Sequence, residues 1–273
     1  MRVVYPPPRS RKVFAAAHVA AVASAGGGAV IDWESTLRFR EHLWAHGFGV
    51  AEAMDTAQRG MGLSWEQARE LIARTAARAA ETGRLGALAC GAGTDQLAGA
   101  SGHPLGAIID AYAEQVAFVQ SAGAQVILMA SRALAASARG PRDYLEVYGE
   151  LVRQAERPVI LHWLGEAFDP ALAGYWGGGF EDAAATVLEL IDRSGGQVDG
   201  VKLSVLDEGR EKWLRRRLPA GVRLYTGDDF NYASLIRGDA DGSHSDALLG
   251  AFAAITAPAA VALAALDRGD LAG

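Results

Sequence analysis

One charged residue interrupts the apolar run Val201–Leu206: Lys202, within "VDGVKLSVL" (198–206). Burying an ammonium group without a partner is costly. Two arrangements meet that cost. Lys202 pairs with an acid such as Asp199 or reaches solvent, or its buried surroundings disfavour the charged form. In the second case the neutral amine is a nucleophile towards carbonyls, and a compact amine on a flexible stem suits imine formation. A second set of residues carries different chemistry. His18, Glu52, Asp55, His162, Glu166 and His244 form a mixed His/carboxylate set that would suit Zn²⁺ or Mn²⁺. No local spacing unites them, so only the fold can bring them together.

The elements that must position these groups read as short apolar runs alternating with helical patterns. The runs are "KVFAAAHVAAVA" (12–23), "FGVAEAM" (48–54), "LGALACG" (85–91), "AQVILMA" (124–130), "RPVILHWLG" (157–165), "VDGVKLSVL" (198–206), "GVRLYTG" (221–227) and "ADGSHS" (240–245). Helices are expected at 32–47, 63–83, 104–122, 141–155, 180–194, 208–217, 229–238 and 246–268. Ser64 and Gln67 have the spacing of a capping box, and Gly83 marks that helix's end. The strands are continuously apolar, as when both faces are covered, and strand–helix alternation implies parallel strands. Eight such units indicate an α/β fold, a (β/α)8 TIM barrel, in one domain over 1–273 with residues 1–11 a Pro-rich N-terminal arm. A doubly wound open sheet is the alternative, but "ASAGGGAVID" lacks its phosphate fingerprint and reads as a loop.

Composition narrows the partners. The 273 residues carry 26 basic and 32 acidic side chains, a net charge of −6, which leaves no basic surplus for nucleic acid. The run "RRR" (215–217) reads as a solvated helix face. Cys90 is the only cysteine, so no intrachain disulfide and no multi-cysteine metal site can form; a cytoplasmic location and a small buried role for Cys90 are expected. No apolar stretch spans a bilayer, since Pro258 interrupts the longest, and "MRVVYPPPRSRK" does not read as a secretory signal. Trp33, Trp44, Trp65 and Trp213 fall on predicted helices as packing residues. "GYWGGGF" (174–180) reads equally as a mobile lid or as a surface loop packed by Tyr175 and Trp176.

In a barrel of this kind chemistry sits at the C-terminal strand ends and in the loops that follow. That rule selects His18; Glu52, Asp55 and Thr56; Thr94 and Asp95; His162 and Glu166; Lys202 and Ser204; Asp228 and Asp229; and Ser243, His244 and Asp246. The stretches "GVAEAMDTAQRGMGLSWEQARELI", "LACGAGTDQL", "AGAQVILMASRAL", "RPVILHWLGE", "VDGVKLSVLD" and "LYTGDDFNYASLIRGDADGSHS" occur in an order that resembles the dihydrodipicolinate synthase and N-acetylneuraminate lyase superfamily of class I aldolases. The resemblance runs from about 30 to 271, and the pattern resembles the branch labelled DUF993.

The resemblance implies a Schiff-base lysine at Lys202, no cofactor and a homo-oligomer. It puts His162 where the superfamily carries a proton-relaying tyrosine, and histidine performs general acid–base work near neutral pH; a lone strand histidine is otherwise a hydrogen-bonded core residue. The superfamily's paired hydroxyls for a keto-acid carboxylate fall near Asp55 and Thr56, and Asp55 would repel a carboxylate. The arginine that often follows the tyrosine strand is replaced by "GEAF". A small keto or sugar-derived carbonyl substrate suits the acid-rich rim, because carboxylates accept hydrogen bonds from hydroxyls. In the leading reading Lys202 and His162 are catalytic, and Glu52, Asp55, Thr56, Asp228 and Ser243 hold a small-molecule substrate, with no nucleic-acid or membrane partner. A metal-dependent isomerase or class II aldolase is the first alternative, and a non-catalytic ligand-binding barrel the second.

Overall fold

The computed structural model describes residues 5–23, 29–97 and 102–270. The strands are β1 (Val13–Ala16), β2 (Ala21–Ala23), β3 (Ala29–Ile31), β4 (Gly49–Glu52), β5 (Leu88–Ala92), β6 (Gln125–Leu128), β7 (Val159–Leu164), β8 (Val198–Ser204), β9 (Arg223–Thr226) and β10 (Asp246–Leu249). The helices are α1 (Trp33–Ala45), α2 (Trp65–Glu81), α3 (Leu105–Ser121), α4 (Arg132–Ser137), α5 (Pro141–Gln154), α6 (Phe180–Arg193), α7 (Glu208–Arg215), α8 (Tyr232–Arg237), α9 (Ala251–Ala254) and α10 (Thr256–Asp267). Eight strands close a barrel in the order β1-β10-β9-β8-β7-β6-β5-β4, while β2 and β3 pair as a separate antiparallel hairpin. The barrel pairings are parallel, and strands such as β4, β5 and β7 are buried at every position, which is why, Glu52 and His162 apart, their sequences run apolar without alternation. The expected TIM barrel is therefore the fold.

Two compact units divide the contacts: residues 1–90 with 248–273, and residues 91–247. In the first, Asp32 caps α1 through the Ser35 amide, and the Ser64–Gln67 capping box opens α2 as its spacing predicts. From Tyr5 on, the Pro-rich arm is packed down. The Tyr5 amide donates to Ala45, and the Arg9 and Ser10 amides donate to the Asp267 carboxylate. Gly47 has φ +81° and its missing Cβ would lie 2.4 Å from the Pro6 carbonyl oxygen, so this crossing excludes any side chain. Trp44, Trp65 and Cys90 are buried in this unit, and burial pushes the Cys90 thiol well up.

In the second unit "GYWGGGF" takes its packed form. Tyr175 and Trp176 are buried, the Trp176 ring lies 4.3 Å from that of Tyr148, and the Tyr175 hydroxyl accepts from the Ser131 amide at 3.0 Å. One helix reading changes: of the "RRR" run only Arg216 and Arg217 face solvent. Arg215 is buried and pairs with Asp239 at 2.6 Å. The eighth strand also moves. It is Asp246–Leu249, not 240–245, and the last helices begin at Ala251 and Thr256 rather than 246. The glycine run 26–28 lies outside the described residues. Among those described, no helix is long and apolar enough to cross a membrane.

Candidate functional site

The second unit holds the lysine. Lys202 lies two residues before the end of β8 and is 4% exposed. Its register partners are His162 on β7, which is fully buried, and Tyr225 on β9. Register neighbours project from the same face of strands about 4.8 Å apart, so the three side chains form one buried row. Gly227, just beyond β9, makes room for the lysine: a Cβ there would lie 3.1 Å from Lys202 Cε and 2.1 Å from Ser204 Oγ. Towards the other end of the strands, the Tyr225 hydroxyl donates to Asp199 at 2.5 Å, and Arg223 pairs with Asp246 at 2.9 Å. Burial, and then the Asp199 charge, push the Tyr225 hydroxyl far up, so it stays protonated.

Other expected residues of this unit take different places. Asp228 is buried, but Oδ1 accepts from the Phe230 and Asn231 amides and Oδ2 from the Asn231 side chain. It shapes its own turn, and that turn carries Gly227. Ser243 and His244 precede β10, so they enter that strand instead of following it; the Ser243 hydroxyl accepts from Arg215. Glu166 is exposed in the loop after β7. Thr94 and Ser131, after β5 and β6, share a hydroxyl hydrogen bond of 2.6 Å.

Sequence reading missed Glu211. It sits in the first turn of α7, 1% exposed, accepting from Ser245 Oγ at 2.6 Å and Thr226 Oγ1 at 3.0 Å. Burial pushes its carboxyl up to about 7; the Ser245 and Thr226 hydrogen bonds and the Arg215 charge restrain that rise, and the Asp228 charge adds to it. Nothing in "DEGREKWLRRR" distinguishes Glu211 from its solvated neighbours, because its partners arrive from β9 and the approach to β10.

The first unit contains the other expected rim. Glu52 ends β4 but is fully buried in an ion pair: Arg40 Nε and Nη2 donate at 2.8 and 2.7 Å, and the Thr75 hydroxyl adds 2.7 Å. Its charge is spent inside the unit, so Glu52 is corrected from substrate ligand to structural partner. Oε1 also accepts from the Ala53 amide, and Ala53 holds φ +53°, a left-handed backbone that costs energy outside glycine. Arg40 further donates to the His18 and Thr36 carbonyls. The buried pair thereby anchors the turn that carries Asp55 and Thr56. Thr56 Oγ1 is buried with no hydrogen-bond partner among the described residues. The His18 side chain is exposed. Among the described residues no three His, Cys, Asp or Glu side chains gather as a metal site, so His18, Glu52, Asp55, His162, Glu166 and His244 are not brought together as one.

The class defined by this architecture is a closed (β/α)8 barrel with a buried lysine and histidine side by side on adjacent strands. A family described as "Protein of unknown function (DUF993)" matches residues 1–273, and the chain belongs to that family. Its fold is that of the dihydrodipicolinate synthase barrels. The enzyme structure from Aquifex aeolicus superposes with a TM-score of 0.68 at 15% identity, covering 95% of this chain and 76% of the other. The one from Oceanobacillus iheyensis gives 0.66 at 14%, covering 96% and 75%. The 2-keto 3-deoxygluconate aldolase from Picrophilus torridus gives 0.63 at 13%, covering 95% and 84%. No curated protein matches the chain significantly.

Proposed function

We propose that the protein is a class I, Schiff-base aldolase or lyase acting on a small keto or sugar-derived carbonyl compound. The observation that carries this reading is the register pairing of buried Lys202 with buried His162, with Gly227 clearing space for the lysine stem. Likeness in fold to structures described as a synthase and an aldolase supports it.

In this mechanism Lys202 Nζ adds to the substrate carbonyl carbon. The carbinolamine hydroxyl takes a proton and leaves as water, giving an iminium ion. The iminium accepts the electron pair released when the adjacent carbon–carbon bond breaks, forming an enamine. His162 takes the proton from the substrate hydroxyl that becomes the departing carbonyl, and returns it to the enamine carbon. Water then hydrolyses the regenerated iminium and frees the amine. No metal or organic cofactor enters these steps.

The test is borohydride reduction in the presence of a panel of pyruvate, hydroxyacetone, glycolaldehyde and 2-keto sugar acids. The expected result is an adduct mass on the Lys202 peptide, absent from Lys202→Ala. A panel without any adduct on that peptide overturns the reading.

A further inference from the structure

We infer that Glu211 is a positioning residue for the Lys202 amine, acting from the helix layer through Thr226 and the Gly227–Asp228 turn. This rests on the proposed role of Lys202. The Glu211 carboxyl joins three elements. It belongs to α7, which follows the lysine strand after a turn of three residues. It accepts from Thr226, the last residue of β9, and from Ser245, the residue before β10. Thr226 Oγ1 in turn accepts from the Asp228 amide at 3.2 Å. Between them, the Gly227 amide donates to the Leu203 carbonyl at 2.8 Å, which fixes the turn to the residue after Lys202. Gly227 is the wall beside the lysine stem, as the 3.1 Å approach of its missing Cβ to Lys202 Cε shows. What holds Thr226 and Asp228 therefore sets where that wall stands.

A buried carboxyl is a costly way to brace a turn, and an apolar side chain of the same size would brace it more cheaply. What the carboxyl adds is a change of state. As a carboxylate it accepts both hydroxyl hydrogens, which leaves Thr226 lone pairs for the Asp228 amide. Once protonated it makes weaker neutral bonds, and its proton competes for those same lone pairs. The charged groups facing it are Arg215 on its own helix, which reaches it through Ser245 at 3.2 Å, and Asp228 from the β9 turn. Arg215 is itself paired with Asp239, so it only partly offsets the cost of burial.

The test compares wild type, Glu211→Gln and Thr226→Val between pH 6 and 8. The first readout is protection of the Asp228 amide against hydrogen exchange, corrected for intrinsic rates. The second is the borohydride trapping rate at Lys202 with hydroxyacetone. In wild type, protection and trapping both rise several-fold through pH 7, beyond what free amine chemistry gives. Both variants lose that rise at Asp228, and Glu211→Gln shows a flattened trapping profile. Exchange profiles that coincide in wild type and Glu211→Gln overturn the inference, as do coincident trapping profiles. A wild type with no adduct at any pH refutes the imine reading instead; the exchange arm then decides the coupling between Glu211 and the turn.

Discussion

Glu211→Gln should stabilise the protein at alkaline pH and leave it almost unchanged in mild acid. The native carboxyl titrates at about 7 against an ordinary value of 4.5. A group whose native proton affinity exceeds its unfolded one gives full stability below the unfolded value. That stability is lost as pH rises through the native value. The gap is about 2.5 pH units, and each is worth about 1.4 kcal/mol, so the loss approaches about 3 kcal/mol between pH 4.5 and 7.5. Gln keeps the shape of the protonated acid and cannot ionise. Asp32, Asp239, Asp241, Asp267 and Glu208 are held below their ordinary values, so their contributions are lost only in stronger acid and cancel between the two proteins. Urea unfolding at pH 5, 6, 7 and 8 reads the difference directly. Near pH 5 the two stabilities should nearly coincide, and at pH 8 the variant should lead by about 3 kcal/mol. Stability curves that stay parallel from pH 5 to 8 would refute the buried, near-neutral carboxyl.

Two further outcomes follow from the packing. Arg40→Met strands the fully buried Glu52 charge and should cost about 3–5 kcal/mol in urea unfolding, whereas Arg40→Met with Glu52→Met should recover much of that loss. Gly227→Ala drives a methyl group to 2.1 Å from Ser204 Oγ and 3.1 Å from Lys202 Cε, so trapping at Lys202 should slow by roughly 10²-fold, and adding Ser204→Ala should restore part of the rate.

The barrel was legible because seven of its strands are apolar runs bounded by glycine, charge or proline, and several of the helices between them, α1, α2 and α7 among them, open on a side-chain cap. The eighth was misplaced for a physical reason. "DALLG" passes into "AFAAITAPAAVALAALD" with no change in composition, so the boundary between β10 and the last helices leaves no periodic signal. Lys202 stood out because a charge inside a buried strand is locally anomalous. Glu52 and Asp228 looked equally functional, yet their roles depend on partners: Arg40 sits 12 residues away on a helix, and the Asp228 carboxylate folds back on its own turn. Glu211 and Arg215 erred the other way. In sequence they look like surface charges, and only the convergence of α7, β9 and the approach to β10 buries them. The placement of seven strands reads from the apolar runs; long-range pairing of charges does not.

The proposed mechanism stands on Lys202 as the nucleophile. Its most direct measurement is the intact mass and peptide map of the protein reduced with borohydride in the presence of the carbonyl panel. A single covalent adduct is expected, located on Lys202 and lost in Lys202→Ala. An adduct confined to surface lysines, or no adduct with any member of the panel, would contradict it.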